Sequence, residues 1–271
     1  EVYEFAALDF GNIFHKALEK YARRVEREGL EWTEVTKEQQ EQFASESVDE
    51  SIVDYSNTVI YSSARNAYIV PRMKRMMNRT VWAMTKQLRK GSFKPEGYEV
   101  SFGSGKIDRI DTCETEDQVY VKILDYKTGA KSFDMAAFYH GLQMQLVVYM
   151  EEAVRLEERK HPGKKIVPAG IFYYRMKDPI VGKELDEEKL EEAILKELRL
   201  DGIIRQEDAV IQRLDADFSG NSLVIPAGKT KSGYSKASKM LLPEEFDAVL
   251  TYAQKRRTDL QGAMYRGKAE A

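Results

Sequence analysis

The sequence predicts an α/β fold with a central sheet of about four strands flanked by helices. Apolar residues recur at helical spacing in the first 90 residues and again from residue 135. Between these helical regions lie three short segments rich in β-branched and aromatic residues, and a fourth begins at residue 166. The predicted order is therefore helices, three strands, a helix, a strand and further helices, and we expect one domain over residues 1–271.

Composition narrows the class of protein. The chain has 271 residues, of which 42% are apolar and 32% charged, as in an ordinary globular domain. Its longest apolar runs, such as residues 146–150, are far shorter than the roughly 20 residues that span a bilayer, so we expect no membrane partner. The single cysteine, Cys113, excludes an internal disulfide and favours a reducing, cytoplasmic setting. A net charge of −3 means that any nucleic acid must bind a local basic patch.

The first predicted helix covers residues 5–29 and ends at Gly29, which is suited to a helix C-terminus. Ile13, Phe14 and Ala17 begin its apolar face. His15 lies in its first half. Spacing alone leaves two interpretations of His15, an ordinary helix histidine or a functional group, and the second requires the fold to bring it to Asp108 and Asp125.

A helical insertion is predicted after the first helix, at residues 31–95. It contains a mostly polar helical region at 36–67 and a helix that begins at Pro71, a residue favoured at the first helical position. The last helix is rich in basic residues and has no acid among residues 71–90: Arg72, Lys74, Arg75, Arg79, Lys86, Arg89 and Lys90. Such a run is either a solvated helix face or the lining of a phosphate groove.

Three strands are predicted next, at residues 98–102, 106–111 and 119–126, in a sheet-and-helix unit over 97–175. The third ends in Asp125-Tyr126-Lys127. Residues two apart on a strand share a face, so Asp125 and Lys127 project side by side. A carboxylate and an ammonium in this position could hold a divalent cation and polarise a water molecule.

The register of the second and third strands predicts a second carboxylate at the same point. If the turn is centred near Glu116 and Asp117, Asp108 lies directly opposite Asp125. Two facing carboxylates repel each other, which costs stability or raises a pKa unless a cation binds between them. Oxygen ligands are those that Mg²⁺ or Mn²⁺ prefers.

The rest of the chain is predicted to supply a long helix at 135–160, a buried strand at 166–174 and a C-terminal helical region at 183–271. Gln145 and Tyr149 share one face of the long helix and could orient a phosphate, a water or Lys127. The C-terminal region begins with an acidic helix at 183–200 and ends with a helix at 243–262. Between them, residues 228–239 contain four lysines and no acid and are predicted to form a flexible loop.

Four motifs in this order resemble those of the RecB-like PD-(D/E)xK nucleases and, within that branch, the AddB family of nuclease domains. They are His15, the segment Gly105-Lys-Ile-Asp108-Arg-Ile-Asp111, the segment Asp125-Tyr-Lys127-Thr-Gly129, and Gln145 with Tyr149. The resemblance covers essentially the whole chain, and it implies a restriction-endonuclease-like core with a mixed sheet.

The resemblance also implies roles for these residues. Asp108, Asp125, His15 and the backbone carbonyl of Tyr126 would bind Mg²⁺ or Mn²⁺. Lys127 would orient the attacking water and stabilise charge on the phosphate, with Gln145 and Tyr149 beside it. A second set would bind DNA: Arg72, Lys74, Arg75 and Arg79.

The implied function is that of a metal-dependent DNA exonuclease domain in a bacterial, cytoplasmic helicase-nuclease that processes double-strand breaks for recombinational repair. Its partners would be DNA and an AddA-type helicase-nuclease subunit. Members of the family typically hold a 4Fe-4S cluster, but this chain has only Cys113. Either the full-length protein holds the cluster outside this chain, which we favour, or this member lacks it. The abrupt start at Glu1 leads us to expect a fragment of a longer protein.

Two alternatives to an active nuclease stay open. One is a catalytically silent DNA-binding or scaffolding module on the same fold. The other is a structural α/β domain with an ion pair at a strand end. We favour the nuclease because Asp108, Asp125 and Lys127 are all present.

Overall fold

The structure, a computed structural model, describes residues 7–56, 64–103, 105–129, 132–140, 143–179 and 186–265. Some predicted segments reach beyond these ranges. They are the start of the first helix at residues 5–6, the part of the second helical region at 57–63, residues 141–142 of the helix predicted at 135–160, and the two ends of the predicted C-terminal region, at 183–185 and 266–271.

A six-stranded sheet forms the centre of the protein. Its strands are β1 (Lys94–Phe102), β2 (Gly105–Glu114), β3 (Gln118–Lys127), β4 (Lys165–Arg175), β5 (Asp201–Arg205) and β8 (Met240–Leu241), and they lie side by side in this order. The β3–β4 and β5–β8 pairs are parallel and the others antiparallel. This confirms the predicted α/β class with a mixed central sheet. Strands β5 and β8, which extend the sheet at one edge, were not predicted from the sequence.

Helices cover both faces of the sheet. They are α1 (Ala7–Arg27), α2 (Lys37–Ser56), α3 (Ala64–Leu88), α4 (Met135–Tyr139), α5 (Met144–Lys160), α6 (Glu187–Glu197), α7 (Asp208–Leu214) and α8 (Pro243–Tyr265). Along β3, Tyr120 and Leu124 belong to the core that includes α1, α2 and α3, whereas Val121 and Ile123 belong to the core that includes α5 and α8. This alternation explains why β3 is apolar on both sides.

Two helix boundaries differ from the predictions. Pro71 lies inside α3 instead of starting it. Proline has no backbone N–H, so the helix loses one hydrogen bond at this position. Pro71 is exposed, and its buried neighbours Val70, Met73 and Met77 hold the same turns against the core. The helix predicted at 135–160 is two helices, α4 and α5, with turn residues His140 and Gln143 between them. The sequence has Gly141 at this point, and glycine disfavours a helix interior.

The C-terminal region contains strands as well as helices. Besides β5 and β8, it includes a short hairpin of β6 (Lys229–Thr230) and β7 (Gly233–Tyr234) where a flexible loop was predicted. Such short strands are difficult to recognise in a sequence because two or five residues give too little alternation. Among the helices described, none is both long and apolar enough to cross a membrane.

Candidate active site

One row of the sheet carries a polar side chain on each of five neighbouring strands. The register pairs Asp125 of β3 with Tyr173 of β4, and Tyr173 with Asp201 of β5. The β2–β3 register, extended by one residue from its last pair, sets Asp108 opposite Asp125, as the sequence predicted. The β1–β2 register pairs Tyr98 with Arg109 and Val100 with Ile107, so Glu99 falls between these pairs, opposite Asp108. Neighbouring strands lie about 4.8 Å apart, so this row concentrates negative charge at one end of the sheet.

Contacts at Asp108 and Tyr126 connect the first helix, α1, to this row. The backbone N–H of Tyr126 donates to Asp108 Oδ2 at 2.6 Å, and His15 Nε2 of α1 donates to the Tyr126 carbonyl oxygen at 3.1 Å. His15 Nδ1 lies 3.3 Å from Asp108 Oδ1. The functional interpretation of His15 required the fold to bring it to Asp108 and Asp125. The structure brings it to Asp108 and to the carbonyl of Tyr126, the residue next to Asp125.

The environment of His15 favours its charged form. Burial works to lower the pKa of His15, but hydrogen bonds and charge from Asp108 and Glu99 outweigh burial and raise that pKa to about 10. Both ring nitrogens then carry protons, which matches their two acceptors. A metal ligand must be a neutral imidazole, so a cation bound here would replace a proton of His15.

Glu99 is a site residue that the sequence analysis missed. Its Oε1 lies 3.9 Å from His15 Nδ1, and Lys106 forms an ion pair with its other oxygen. Although burial opposes it, the nearby charges of His15 and Lys106 and the contact with Lys106 keep the pKa of Glu99 below its usual value. Glu99 has a φ of 50°, a left-handed conformation that costs a non-glycine residue about 1–3 kcal/mol. Only the alternation of side chains along β1 could have indicated Glu99, and that pattern does not show on which face of the sheet Glu99 lies.

Lys127 and Asp125 form the ion pair that the strand pattern predicted. Lys127 Nζ contacts Asp125 Oδ2 and lies 5.4 Å from the centre of the Tyr173 ring. Burial and the neighbouring Asp108 raise the pKa of Asp125, and Lys127 and His15 only partly oppose them. The aromatic ring and the carboxylate together hold the Lys127 ammonium at the end of β3.

The Gln145–Tyr149 pair forms on α5 as predicted, with the Gln145 amide donating to the Tyr149 hydroxyl. The Tyr149 ring packs edge-on against Phe102, with ring centroids 5.5 Å apart. Tyr149 is buried and packs in the same apolar cluster as Ile123 of β3 and Tyr173 of the polar row. The pair therefore lies on the face of the sheet that carries Asp125, and Gln145 is its exposed member.

Gly11 allows α1 to lie close to the strand that carries Asp125. A Cβ atom at Gly11 would lie 3.3 Å from Thr128 Oγ1, tighter than ordinary van der Waals contact. Thr128 directly follows Lys127, so Gly11 and His15, one helical turn apart, fix α1 against both ends of the Tyr126–Thr128 segment.

The predicted DNA-binding residues lie on α3, and two of the four already have acidic partners. Lys74 Nζ lies 2.6 Å from Asp49 Oδ2, and Arg79 Nε lies 4.0 Å from Asp178 Oδ1. Arg72 and Arg75 are exposed and form no ion pair with any residue that the structure describes. Arg75 and Arg79 also line a cleft of about 630 Å³ between α2, α3 and α6.

The donor atoms in the row fit a hard divalent cation. Ligand atoms from His15, Glu99 and Asp108 all lie within 4.8 Å of one another. Glu99 Oε1 is buried without a hydrogen-bond partner among the described residues, so an oxygen there is open to a cation. Carboxylate oxygens, the Tyr126 carbonyl and an imidazole match the ligand preferences of Mg²⁺ and Mn²⁺.

Comparison with known proteins gives a family and named relatives. A model of the PD-(D/E)XK nuclease superfamily matches residues 1–261. The chain is 33% identical over 291 residues to an ATP-dependent helicase/deoxyribonuclease subunit from Alkaliphilus metalliredigens, a match that covers 99% of this chain and 25% of the relative. It is 34% identical over 268 residues to the protein of the same name from Lachnoclostridium phytofermentans, covering 92% of this chain and 23% of the relative. The chain thus spans about a quarter of the length of these relatives.

Proposed function

The chain belongs to the PD-(D/E)XK nuclease superfamily, and from this we propose that it hydrolyses phosphodiester bonds of DNA with the help of bound Mg²⁺ or Mn²⁺. The observation that carries the proposal is the meeting of Asp108, Asp125, His15 and Lys127 at one end of the sheet. Two facing carboxylates cost stability unless a cation binds between them, and burial together with the charge of Asp108 raises the pKa of Asp125.

In the proposed site, Asp108, Asp125, His15 and the Tyr126 carbonyl hold the cation. Glu99 is well placed to join them. When bound, the cation would lower the pKa of a coordinated water molecule and neutralise negative charge on the phosphate. The hydrogen bond from Tyr126 N–H fixes Asp108, and Asp108 in turn fixes His15, so the ligands are oriented before a cation arrives.

Lys127 acts on the reacting water and phosphate in this proposal. Its ammonium donates a hydrogen bond to the attacking water and places positive charge where the phosphate becomes more negative. Tyr173 and Asp125 keep Lys127 Nζ at the end of β3. The exposed Gln145 amide, held by Tyr149, is placed to bind a phosphate oxygen of the substrate strand.

We further propose that the chain is the nuclease domain of a longer subunit that works with a helicase-nuclease partner of the AddA type. The relatives are named as a subunit of an ATP-dependent helicase/deoxyribonuclease, and the chain covers only a quarter of them. In that setting it would act as an exonuclease that processes DNA ends for recombinational repair. Arg72, Lys74, Arg75 and Arg79 are proposed to bind the DNA backbone.

The experiment is digestion of end-labelled single- and double-stranded DNA by the 271-residue chain with Mg²⁺ or Mn²⁺. EDTA and a Lys127→Ala variant serve as controls. Cleavage that needs metal and is reduced about 10²-fold or more in the variant supports the proposal. If no DNA is cut, Mn²⁺ binding by calorimetry separates two cases: bound metal indicates a site that needs its partner subunit, whereas no binding supports the silent DNA-binding or scaffolding module.

A further inference from the structure

We propose that residues 228–239, here called the lysine strap, bind the phosphates of the DNA strand beside the active site. The inference rests on the proposed function, because the bound strand is the nuclease substrate. It names a third surface for DNA, besides the polar row and α3. This surface is a segment with four lysines and no acidic residue.

The lysine strap is an ordered structure. Its β6–β7 hairpin is closed by a hydrogen bond from Thr230 Oγ1 to the Gly233 carbonyl, at 3.0 Å. The Tyr234 hydroxyl donates to Asp208 Oδ1 of α7 at 3.0 Å, and the Gly228 N–H donates to Ser238 Oγ at 3.0 Å. The lysine side chains are therefore displayed from a fixed backbone, which limits the entropy lost when a ligand binds.

Lys239 attaches the lysine strap to the catalytic end of the sheet. Its Nζ donates to Asp201 Oδ1 at 2.6 Å and to the Phe133 carbonyl at 2.9 Å, and the Phe133 N–H donates to Asp201 Oδ2 at 2.8 Å. Asp201 is the last member of the polar row, two strands from Asp125 and thus about 10 Å away. Phe133 belongs to the segment that follows Lys127 along the chain. The lysine strap is therefore anchored, at its last residue, about two strands from the proposed site of cleavage.

The other three lysines are exposed, and none has an acidic partner within the part of the chain that the structure describes. Lys229, Lys231 and Lys236 form no ion pair with any residue in the described ranges, and Lys229 lies over the Phe218 ring at 4.5 Å. On α3, by contrast, Lys74 and Lys86 each have an acid within 3 Å. An ammonium already paired gains less from a phosphate than a free one, because its partner must first be displaced.

The polar row itself has little free positive charge to offer a DNA backbone. Four of its five members are carboxylates, and the lysines beside them, Lys106, Lys127 and Lys239, are already paired with them. The free ammonium groups of the lysine strap would supply the missing attraction and hold the strand beside the row. Serines at 232, 235 and 238 add hydroxyl donors of the kind that contact phosphate oxygens.

The test compares two triple variants of the 271-residue chain that lose the same charge. One carries Lys229→Gln, Lys231→Gln and Lys236→Gln in the lysine strap. The matched control carries Arg159→Gln, Lys160→Gln and Lys165→Gln, which lie at the other end of the sheet, where β4 begins and α5 ends. Binding of a labelled single-stranded oligonucleotide is measured by fluorescence anisotropy in EDTA, over a series of salt concentrations.

We expect the strap variant to lower the slope of log K against log salt by about 2, since each lost contact to a single strand removes about 0.7. Over the decade from 1 M to 0.1 M salt this corresponds to about 100-fold weaker binding at 0.1 M. The control variant should keep the wild-type salt slope. A variant in which the same three strap lysines are replaced by arginine should bind DNA as the wild type does. Equal losses in the strap and control variants, or no loss in the strap variant, would overturn the proposal.

Failure of this proposal is distinguishable from failure of the proposed function. Binding is measured without metal, so it does not depend on cleavage. Wild-type protein that cuts DNA while the strap variant keeps its salt slope would refute the lysine strap alone. Protein that never cuts DNA, but binds it through the strap, would support the surface and count against the nuclease activity.

Discussion

The carboxylate of Asp108 on β2 accepts a hydrogen bond from the backbone N–H of Tyr126 on β3, at 2.6 Å. The carbonyl of the same Tyr126 accepts from His15. Asp108 thus has two uses at once, as a candidate metal ligand and as the acceptor that satisfies a buried backbone donor. Two substitutions at this position separate these uses.

Asp108→Asn and Asp108→Ala should both lose Mn²⁺ affinity but differ in stability. An asparagine side-chain oxygen can still accept from Tyr126 N–H, whereas alanine leaves that buried donor unpaired, at a cost of about 1–3 kcal/mol. Both variants remove the repulsion of Asp125 equally. Urea unfolding in EDTA measures the difference, and calorimetry with Mn²⁺ measures affinity. Equal stability of the two variants would show that the hydrogen bond contributes little.

Glu99→Gln should weaken Mn²⁺ binding about 10-fold, since residues that support metal ligands contribute about that much. The reason is the position of Glu99 beside His15 and opposite Asp108. Glu96→Gln is the matched control, because Glu96 lies on the same strand but is largely exposed and pairs only loosely with Lys160, at 3.9 Å. Calorimetry with Mn²⁺ should show unchanged affinity in the control. Unchanged affinity in the Glu99 variant as well would remove Glu99 from the site.

Asp111→Asn should destabilise the protein by about 3–5 kcal/mol, the usual cost of breaking a buried ion pair. Arg109 donates to both Asp111 oxygens, at 2.6 and 2.7 Å, and Lys122 lies 3.3 Å away. The substitution would leave two buried cations without their counter-charge. Asp117→Asn, at an exposed turn, is the control and should change the free energy of unfolding by less than about 0.5 kcal/mol.

Low pH should remove the stabilisation that Asp111 contributes to the folded protein. Burial works to raise the pKa of Asp111, but Arg109 and Lys122 outweigh it and hold that pKa below its usual value. A carboxyl with a lowered folded pKa stabilises the protein above its unfolded pKa of about 3.9 and loses this effect as the pH falls through the folded value. The difference in unfolding free energy between wild type and Asp111→Asn should therefore shrink below about pH 4. A difference that grew on acidification would contradict the assigned direction.

Replacing Arg72, Lys74 and Arg75 together by glutamine should weaken DNA binding and flatten its salt dependence. We expect a slope change of about 1.4, equivalent to two contacts with a single strand, because Lys74 is already paired with Asp49. Lys74→Gln alone should have little effect. Fluorescence anisotropy over a salt series provides the measurement. An unchanged slope in the triple variant would mean that this face of α3 is only solvated.

Much of the fold and part of the site could be predicted because their signals are local. Alternating and continuous apolar residues marked β3 and β4, and a turn near Glu116 was enough to set Asp108 opposite Asp125. The strand period of two placed Asp125 and Lys127 on one face, and the helical period placed Gln145 beside Tyr149. Each of these relationships joins residues that are close along the chain or linked by one hairpin.

The sequence by itself determined the α/β class, the facing carboxylates and the strand-end lysine, because side-chain periodicity is a property of each element alone. Only the tertiary structure brought His15 to Tyr126 across 111 residues, placed Glu99 beside His15, and extended the row to Asp201. It also anchored the lysine strap through Lys239. These contacts depend on how separate elements pack, and packing is decided by burial summed over the whole core, which no short segment contains.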